Sequence, residues 1–349
     1  MNLRYSFQLL PHVNIRYRQA SAELALHELE HILSCYAAEP SFTLESIGGC
    51  LFLTGDLPPL SASVLHAISM HSSLFLLARR EGDTLCPLAP LPTDVYPEDL
   101  PEVLKYKGKT HVPFTRMLIN LARSAARRWD VPESEITVLD PMCGRGTTLY
   151  CCLQKGMHSI GLDAHAPSIR EGDTYLRRYL EYHRLKFSRD AFSRTVSGQG
   201  VPGITYTVGA DKEAFRTGHV HSLSFFHADA ACAGSLLRRH PADLLVCDLP
   251  YGVQHDATVQ GKPEHTQAML RRVLPAWKEA MKPDGAGAVS FNRLTLRREA
   301  LLSLLSASGF TVLSTPPDIF VHEVEQAVQR DILLFTPAHP SSHEQEASI

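Results

Sequence analysis

The chain lacks the features that would set it outside the soluble globular proteins. It has no run of about 18 or more apolar residues, which excludes a membrane-spanning helix read from hydropathy. Its first residues, Met1-Asn2-Leu3-Arg4-Tyr5-Ser6, lack the apolar core of a secretory signal. None of its eight cysteines forms a Cys-x-x-Cys pair and no ligand pair has the spacing of a zinc site, so reduced thiols, a cytoplasmic location and no metal are expected. An excess of charge of one sign is lacking: 34 lysines and arginines stand against 37 acids, for a formal net charge of −3 and a sequence pI near 6.6. A domain that coats nucleic acid has a pI above about 9, so any nucleic-acid contact must come from a local basic patch. No internal repeat is present. What is there is ordinary: 349 residues, 44% hydrophobic and 20% charged, enough for two domains with a sizeable core.

Residues 1–82 read as strand, helix, strand, strand, helix, strand. Ser21 is a plausible N-cap for a helix carrying Leu26, Leu29, Ile32 and Leu33 on one face. Phe42–Ile47 and Leu51–Leu53 flank Gly48-Gly49, a hairpin-turn pair. This order implies a ferredoxin-like α+β domain, a fold that identifies no function by itself. Pro87, Pro90, Pro92, Pro97 and Pro101 then crowd one stretch, and 83–104 is read as a proline-rich linker, a packed loop being the alternative.

From 105 to 337 apolar strands alternate with helical stretches. A helix holds Phe114, Met117, Leu118, Leu121 and Ala125, and strands are expected at Ile136–Leu139, Ser159–Leu162, Leu223–Phe226, Leu244–Cys247, Ala286–Phe291, Thr311–Leu313 and Ile332–Phe335. Such alternation predicts an α/β domain with a mostly parallel sheet, helices on both faces and the two last strands as a hairpin edge. Residues 338–349 read as a polar tail.

Ligands of open α/β sheets sit at the carboxyl ends of the strands. Asp140 ends the first of these strands, followed by Gly144, Gly146 and a helix from Thr147. A dinucleotide fingerprint would need a third small residue where Leu149 stands. S-adenosylmethionine has no pyrophosphate; a short nest of N–H groups and an acidic acceptor suffice for its amino-acid end, and the loop suits it better. Asp163 lies 23 positions after Asp140 at the end of the second strand, where an acid binds ribose hydroxyls. Asp229, after the third, is placed to accept from an adenine amine; an acid after a strand also serves as a helix cap.

After the next strand comes Asp248-Leu249-Pro250-Tyr251-Gly252. An exocyclic base amine is a weak nucleophile because its lone pair is delocalised. Two acceptors on its hydrogens, the Asp248 carboxylate and the Leu249 carbonyl, would hold it, and Pro250 biases Leu249 toward an extended conformation. Tyr251 offers a face for stacking the base, worth about 1–3 kcal/mol.

Asp140-Pro141-Met142-Cys143-Gly144-Arg145-Gly146-Thr147 together with Asp248-Leu249-Pro250-Tyr251-Gly252 resembles the class I aminomethyltransferases, and within them the tRNA guanine-N2 methyltransferase family whose members often carry a THUMP domain. The resemblance covers about residues 105–336. It implies a Rossmann-like class I methyltransferase sheet, S-adenosylmethionine as cofactor and an RNA, specifically tRNA, as partner. It implies cofactor contacts from Asp140, Pro141, Cys143, Gly144, Gly146, Thr147, Asp163 and Asp229, with Phe114 and Thr115 approaching before the first strand, and catalysis by Asp248, Leu249, Pro250 and Tyr251. The first hundred residues depart from the family: they hold the ferredoxin-like unit without room for a full THUMP domain. RNA contacts are expected from Arg79, Arg80, Lys105, Lys107, Lys109 and the helical-looking run Arg177–Lys186, with Gln254 and His255 near the base. The alternatives are methylation of DNA adenine, a protein glutamine or a small amine, and a non-catalytic RNA-binding protein of the same fold.

Overall fold

The structure is a computed structural model that describes residues 2–11, 18–36, 40–239, 241–250, 258–259, 262–263, 265–316, 318–325 and 327–338. Two sheets organise it. The first uses β1 (Leu3–Leu9), α1 (Arg18–Ser34), β2 (Phe42–Ile47), β3 (Cys50–Leu57), α2 (Ala62–Ser69), β4 (Leu74–Glu81) and β5 (Thr84–Leu88). Its strands run in the order β2-β3-β1-β4-β5, every pair antiparallel. The first four strands with α1 and α2 make the βαββαβ ferredoxin-like arrangement. Gly48 and Gly49, both at positive φ (58° and 82°), turn β2 into β3 as a two-residue hairpin requires. Ser61 caps α2 by accepting from the Val64 N–H at 3.3 Å. Two details differ from expectation. α1 begins at Arg18, so Ser21 lies inside the helix, where Gln19 and Glu23 bond one turn apart at 2.9 Å. Part of the stretch expected as linker is strand β5, which accepts Pro87 because it is the edge of the sheet and needs no outward N–H.

The second sheet follows α3 (Val112–Ala125) and is built from β6 (Thr137–Asp140), α4 (Thr147–Gln154), β7 (His158–Asp163), α5 (Ala166–Tyr182), β8 (Lys186–Val196), β9 (Gln199–Gly209), α6 (Lys212–Thr217), β10 (Val220–His227), α7 (Ala233–Leu237) and β11 (Ala242–Asp248). Two short strands, β12 (Thr258–Val259) and β13 (Lys262–Pro263), pair only with each other among the described residues. Then come α8 (Thr266–Ala280), β14 (Met281–Asn292), α9 (Arg298–Ala307), β15 (Phe310–Val312), β16 (His322–Glu325) and β17 (Val328–Pro337). The order across the sheet is β15-β17-β14-β11-β6-β7-β10-β9-β8, with β16 paired to β17. From β14 through β11, β6 and β7 to β10 the pairing is parallel; β17 inserts antiparallel between β14 and β15.

Alternate residues of the buried strands feed opposite cores. Leu139, Leu162, Leu245 and Phe291 join the layer with Trp277 of α8 and Leu301 of α9. Val138, Leu244, Val246 and Ala288 face the layer of α3, with Met117, Leu118 and Leu121. Burying each such large apolar side chain contributes roughly 1.5–3 kcal/mol, so α3 is fixed firmly against the sheet. This is a Rossmann-like α/β sheet accompanied by a ferredoxin-like α+β unit.

The expected helical run through Lys186 is cut short: α5 ends at Tyr182, Arg184 takes φ 55°, and Lys186 opens β8. The hairpin β8–β9, turned at Ser197 and Gly198 (φ 50° and 81°), extends the sheet past β10 where no strand was expected.

α1 and α3 meet through a buried polar knot. The Glu28 carboxylate, fully buried, accepts from the Asn120 amide of α3 at 2.7 Å, from the Ser72 N–H at 2.9 Å and from the Ser72 hydroxyl. The same Asn120 amide donates to the Met70 carbonyl at 2.8 Å. Buried polar groups satisfied in this way define one packing of the two units.

Candidate functional site

The first βα turn of the large sheet starts at Asp140, whose strand β6 lies between β7 and β11. That is the switch point, where chain connections leave toward opposite edges and a crevice opens at the strand tips. Gly144 has φ 54°, and an added Cβ there would meet nothing within 4 Å, so the loop faces open space. Gly146 has φ 94° and caps α4; an added Cβ would lie 2.9 Å from the Phe225 ring. Only glycine satisfies both demands at that position. The loop is tied to the next strand: the Gly144 N–H donates to Asp163 at 2.8 Å, and the Cys143 N–H donates to the Leu162 carbonyl at 2.9 Å.

Three carboxylates converge there. Asp140 is 4% exposed and accepts from the Met142 N–H at 3.1 Å. Burial pushes its carboxyl up to about 7, with Thr148 and the Met142 N–H working against the rise and the nearby Asp163 and Asp248 adding to it. Burial also raises Asp163, opposed by its bonds from the His165 N–H (2.7 Å) and the Gly144 N–H. Among the described residues neither Asp140 nor Asp163 has a lysine or arginine partner within ion-pair distance. Cys143 and Cys247, buried beside these acids, are pushed well up, chiefly by burial, so both stay thiols.

Asp248 sits differently. Its Oδ2 accepts from the Thr110 hydroxyl at 2.8 Å and from Arg330 at 3.1 Å. Arg330 is 6% exposed and lies 4.6 Å above the Phe114 ring, which in turn meets the His322 ring at 5.2 Å. Asp331, the neighbour of Arg330, pairs instead with Arg298 at 2.6 Å. The Leu249 N–H donates to the Ser290 carbonyl at 2.9 Å, pinning the strand exit to β14. Leu249 is buried and Pro250 half-buried.

Asp140, Gly144, Asp163 and Asp248 are thus brought to neighbouring strand tips. Other expected contacts have local partners. The Asp229 carboxylate caps a short 3₁₀ turn through the Ala231 N–H (2.8 Å) and pairs with Arg272 at 2.5 Å. The Thr115 hydroxyl reaches back to the His111 carbonyl at 3.4 Å within α3, and Phe114 packs under Arg330. Thr147 bonds the Tyr106 hydroxyl at 3.0 Å, and Pro141 is buried in the turn. Tyr251, Gln254 and His255 lie outside the described residues. Thr110, one of the two groups that orient Asp248, was not singled out as a site residue by sequence; Arg330-Asp331 reads from sequence as an ion pair or as a substrate contact, and Arg330 pairs instead with Asp248. Of the expected RNA contacts, Lys109 donates to the Pro101 carbonyl at 2.6 Å, Arg80 pairs with Glu45 at 2.7 Å and Arg79 pairs with Glu81.

No protein-family model and no curated protein matches the chain. Solved structures do resemble it. TrmN from Thermus thermophilus is 15% identical with a TM-score of 0.38, over 86% of this chain and 61% of that one, so the chain spans less than two thirds of its length. The rRNA methyltransferase AviRa from Streptomyces viridochromogenes is 13% identical with a TM-score of 0.39, over 70% of this chain and 92% of that one. A TehB-like SAM-dependent methyltransferase from Corynebacterium glutamicum is 12% identical with a TM-score of 0.34, over 58% and 80%. Likenesses this distant say nothing of substrate. No helix among the described residues is long and apolar enough to cross a membrane.

Proposed function

We propose that the chain is a cytoplasmic S-adenosylmethionine-dependent N-methyltransferase acting on an exocyclic amine of a nucleobase, most directly guanine N2 in tRNA. The observation that carries the reading is the pair of carboxylates without basic partners, Asp140 and Asp163, flanking an open glycine loop at the switch point. Acids shielded from water and lacking a cation from the chain suit a ligand that brings its own positive charge and hydroxyls. The donor set therefore fits S-adenosylmethionine, with Asp140 toward its cationic amino-acid end, Asp163 toward its ribose, and the Cys143–Thr147 backbone toward its carboxylate. Asp229 is the candidate on the adenine side, with its bond from Arg272 shared.

When bound, the cofactor would supply a sulfonium methyl to the amine nitrogen, the C–S electron pair staying with sulfur and one N–H proton leaving. The chain's task is to hold the amine. Thr110 and Arg330 fix the Asp248 carboxylate in one orientation, so it presents an acceptor without rearrangement. The Leu249 carbonyl is the second acceptor, Pro250 restricts Leu249, and Tyr251 stacks the base. Asp248 also eases loss of the proton after transfer. The activated donor leaves mainly positioning to the protein.

Titration calorimetry should give a Kd for S-adenosylmethionine, and labelled methyl should pass from it to tRNA. Transfer confined to DNA, a protein or a small amine would refute the RNA assignment, and absence of cofactor binding would refute the whole reading.

A further inference from the structure

A groove of about 820 Å³ runs between α5 and the chain at 99–104. Tyr175, Tyr179, Tyr182 and His183 line it, at spacings that place them along one side of the helix. Tyr179 and His183 stack with ring centres 4.2 Å apart, and Tyr182 meets His183 edge-on at 5.1 Å. The Tyr175 and Tyr179 hydroxyls are taken by the Leu100 carbonyl and the Asp99 carboxylate. Tyr182 is not: it is 83% exposed.

The charges are unevenly spent. Of the two acids that line the groove, Glu171 pairs with Arg145 and Asp99 accepts from the Tyr179 hydroxyl; Glu102 and Glu181 lie exposed on the bordering segments. Arg170 and Arg178, both exposed in the same groove, make no hydrogen bond or ion pair among the described residues. Tyr179 is buried under this cluster, so the open ring face is that of Tyr182, backed by His183; an exposed aromatic ring bordered by guanidinium groups is the composition that holds a single strand, with a base on the ring and phosphates on the arginines. A chain of contacts leads from Glu171 of the groove to the glycine loop. Arg145, the partner of Glu171, belongs to the glycine loop and lies 4.3 Å over the Tyr106 ring, whose hydroxyl bonds Thr147 at 3.0 Å. Helix α5 has 17 residues, about 25 Å at 1.5 Å each, enough to follow several nucleotides away from the loop.

We propose that this groove binds single-stranded RNA flanking the base to be methylated. The proposal rests on the methyltransferase reading for its RNA and adds the surface that holds it. A chain of net charge −3 must grip a polyanion locally, and this groove supplies the place.

The test uses the full chain, fluorescein-labelled tRNA and the variants Tyr182→Ala and Arg170→Gln/Arg178→Gln. Each should raise the RNA Kd about tenfold, and the arginine pair should lower the salt slope of binding by about 1.4, at about 0.7 for each single-strand phosphate contact. Affinity for S-adenosylmethionine and kcat at saturating RNA should stay within about twofold of wild type, so that the loss falls in KM. Unchanged RNA affinity in both variants would overturn the proposal, as would wild-type protein that binds an acidic peptide in preference to RNA through the same residues. RNA binding that weakens in both variants while no methyl transfer occurs would refute the methyltransferase reading and leave the groove standing.

Discussion

Replacing Asp140 with asparagine should change how stability depends on pH. The carboxyl moves from 3.8 to about 7 on folding because it is buried without a cation. The folded state therefore holds this proton more tightly than the unfolded chain, and stability falls as pH rises from about 4 to about 7. At about 1.4 kcal/mol per unit, the three units amount to roughly 4 kcal/mol, of which about 2.5 kcal/mol falls between pH 5 and pH 8. Urea denaturation at about pH 5 and pH 8 should show wild type losing roughly that much more than Asp140→Asn, which has no proton to release. The same proton reports on the ligand. A cation beside Asp140 favours the carboxylate, so S-adenosylmethionine should bind wild type up to about tenfold more tightly per unit between pH 5 and 7, then level off, while the variant binds weakly and evenly. Parallel stability profiles for the two proteins would show that Asp140 is not perturbed. A flat affinity profile in wild type would remove it from the cationic end of the ligand.

Other outcomes follow from the same contacts. Asp248→Ala should abolish methyl transfer while the calorimetric Kd for the cofactor stays within about threefold; equal loss of both would contradict the separation of loop and clamp. Arg330→Met takes away a 3.1 Å donor from Asp248 and the cation over Phe114, and should lower kcat about a hundredfold with cofactor affinity retained; an unchanged kcat would show that Asp248 needs no such support. Gly146→Ala forces a side chain into φ 94° and to within 2.9 Å of Phe225, and should cost at least 1–3 kcal/mol in thermal or urea unfolding, against no change if the loop relaxes freely. Asn120→Ala strips one donor from the buried Glu28 and should cost about 1–3 kcal/mol, read from the urea midpoint, with no loss if water replaces the amide.

The large sheet was readable because its central strands are buried on both faces and appear as unbroken apolar runs, such as Leu244–Cys247. The ferredoxin-like order was readable through Gly48-Gly49, whose turn demands positive φ. The β8–β9 hairpin escaped because its strands are largely polar and half-exposed, and a sheet extension with little core to fill has a weak hydrophobic period. Its one local signal was Ser197-Gly198, a two-residue turn between alternating segments. β5 was hidden by Pro87, which disfavours a strand everywhere except at an edge. In the site, the acids were legible because each stands directly after an apolar strand. The contacts of Thr110 and Arg330 with Asp248 were not: they span 138 and 82 residues, and Arg330 offered from sequence only its neighbour Asp331 as an ion-pair partner, or a substrate. Asp229 shows the limit of such reading: one carboxylate both caps a turn and pairs with Arg272, and its position in sequence fits a ligand role equally well.

Mass spectrometry of nucleosides from tRNA incubated with the purified chain and methyl-labelled S-adenosylmethionine tests the account most directly. The account predicts label in N2-methylguanosine, lost with Asp248→Ala. Label in another nucleoside would contradict the assigned position, and tRNA left unlabelled by a chain that binds the cofactor would contradict the assigned substrate.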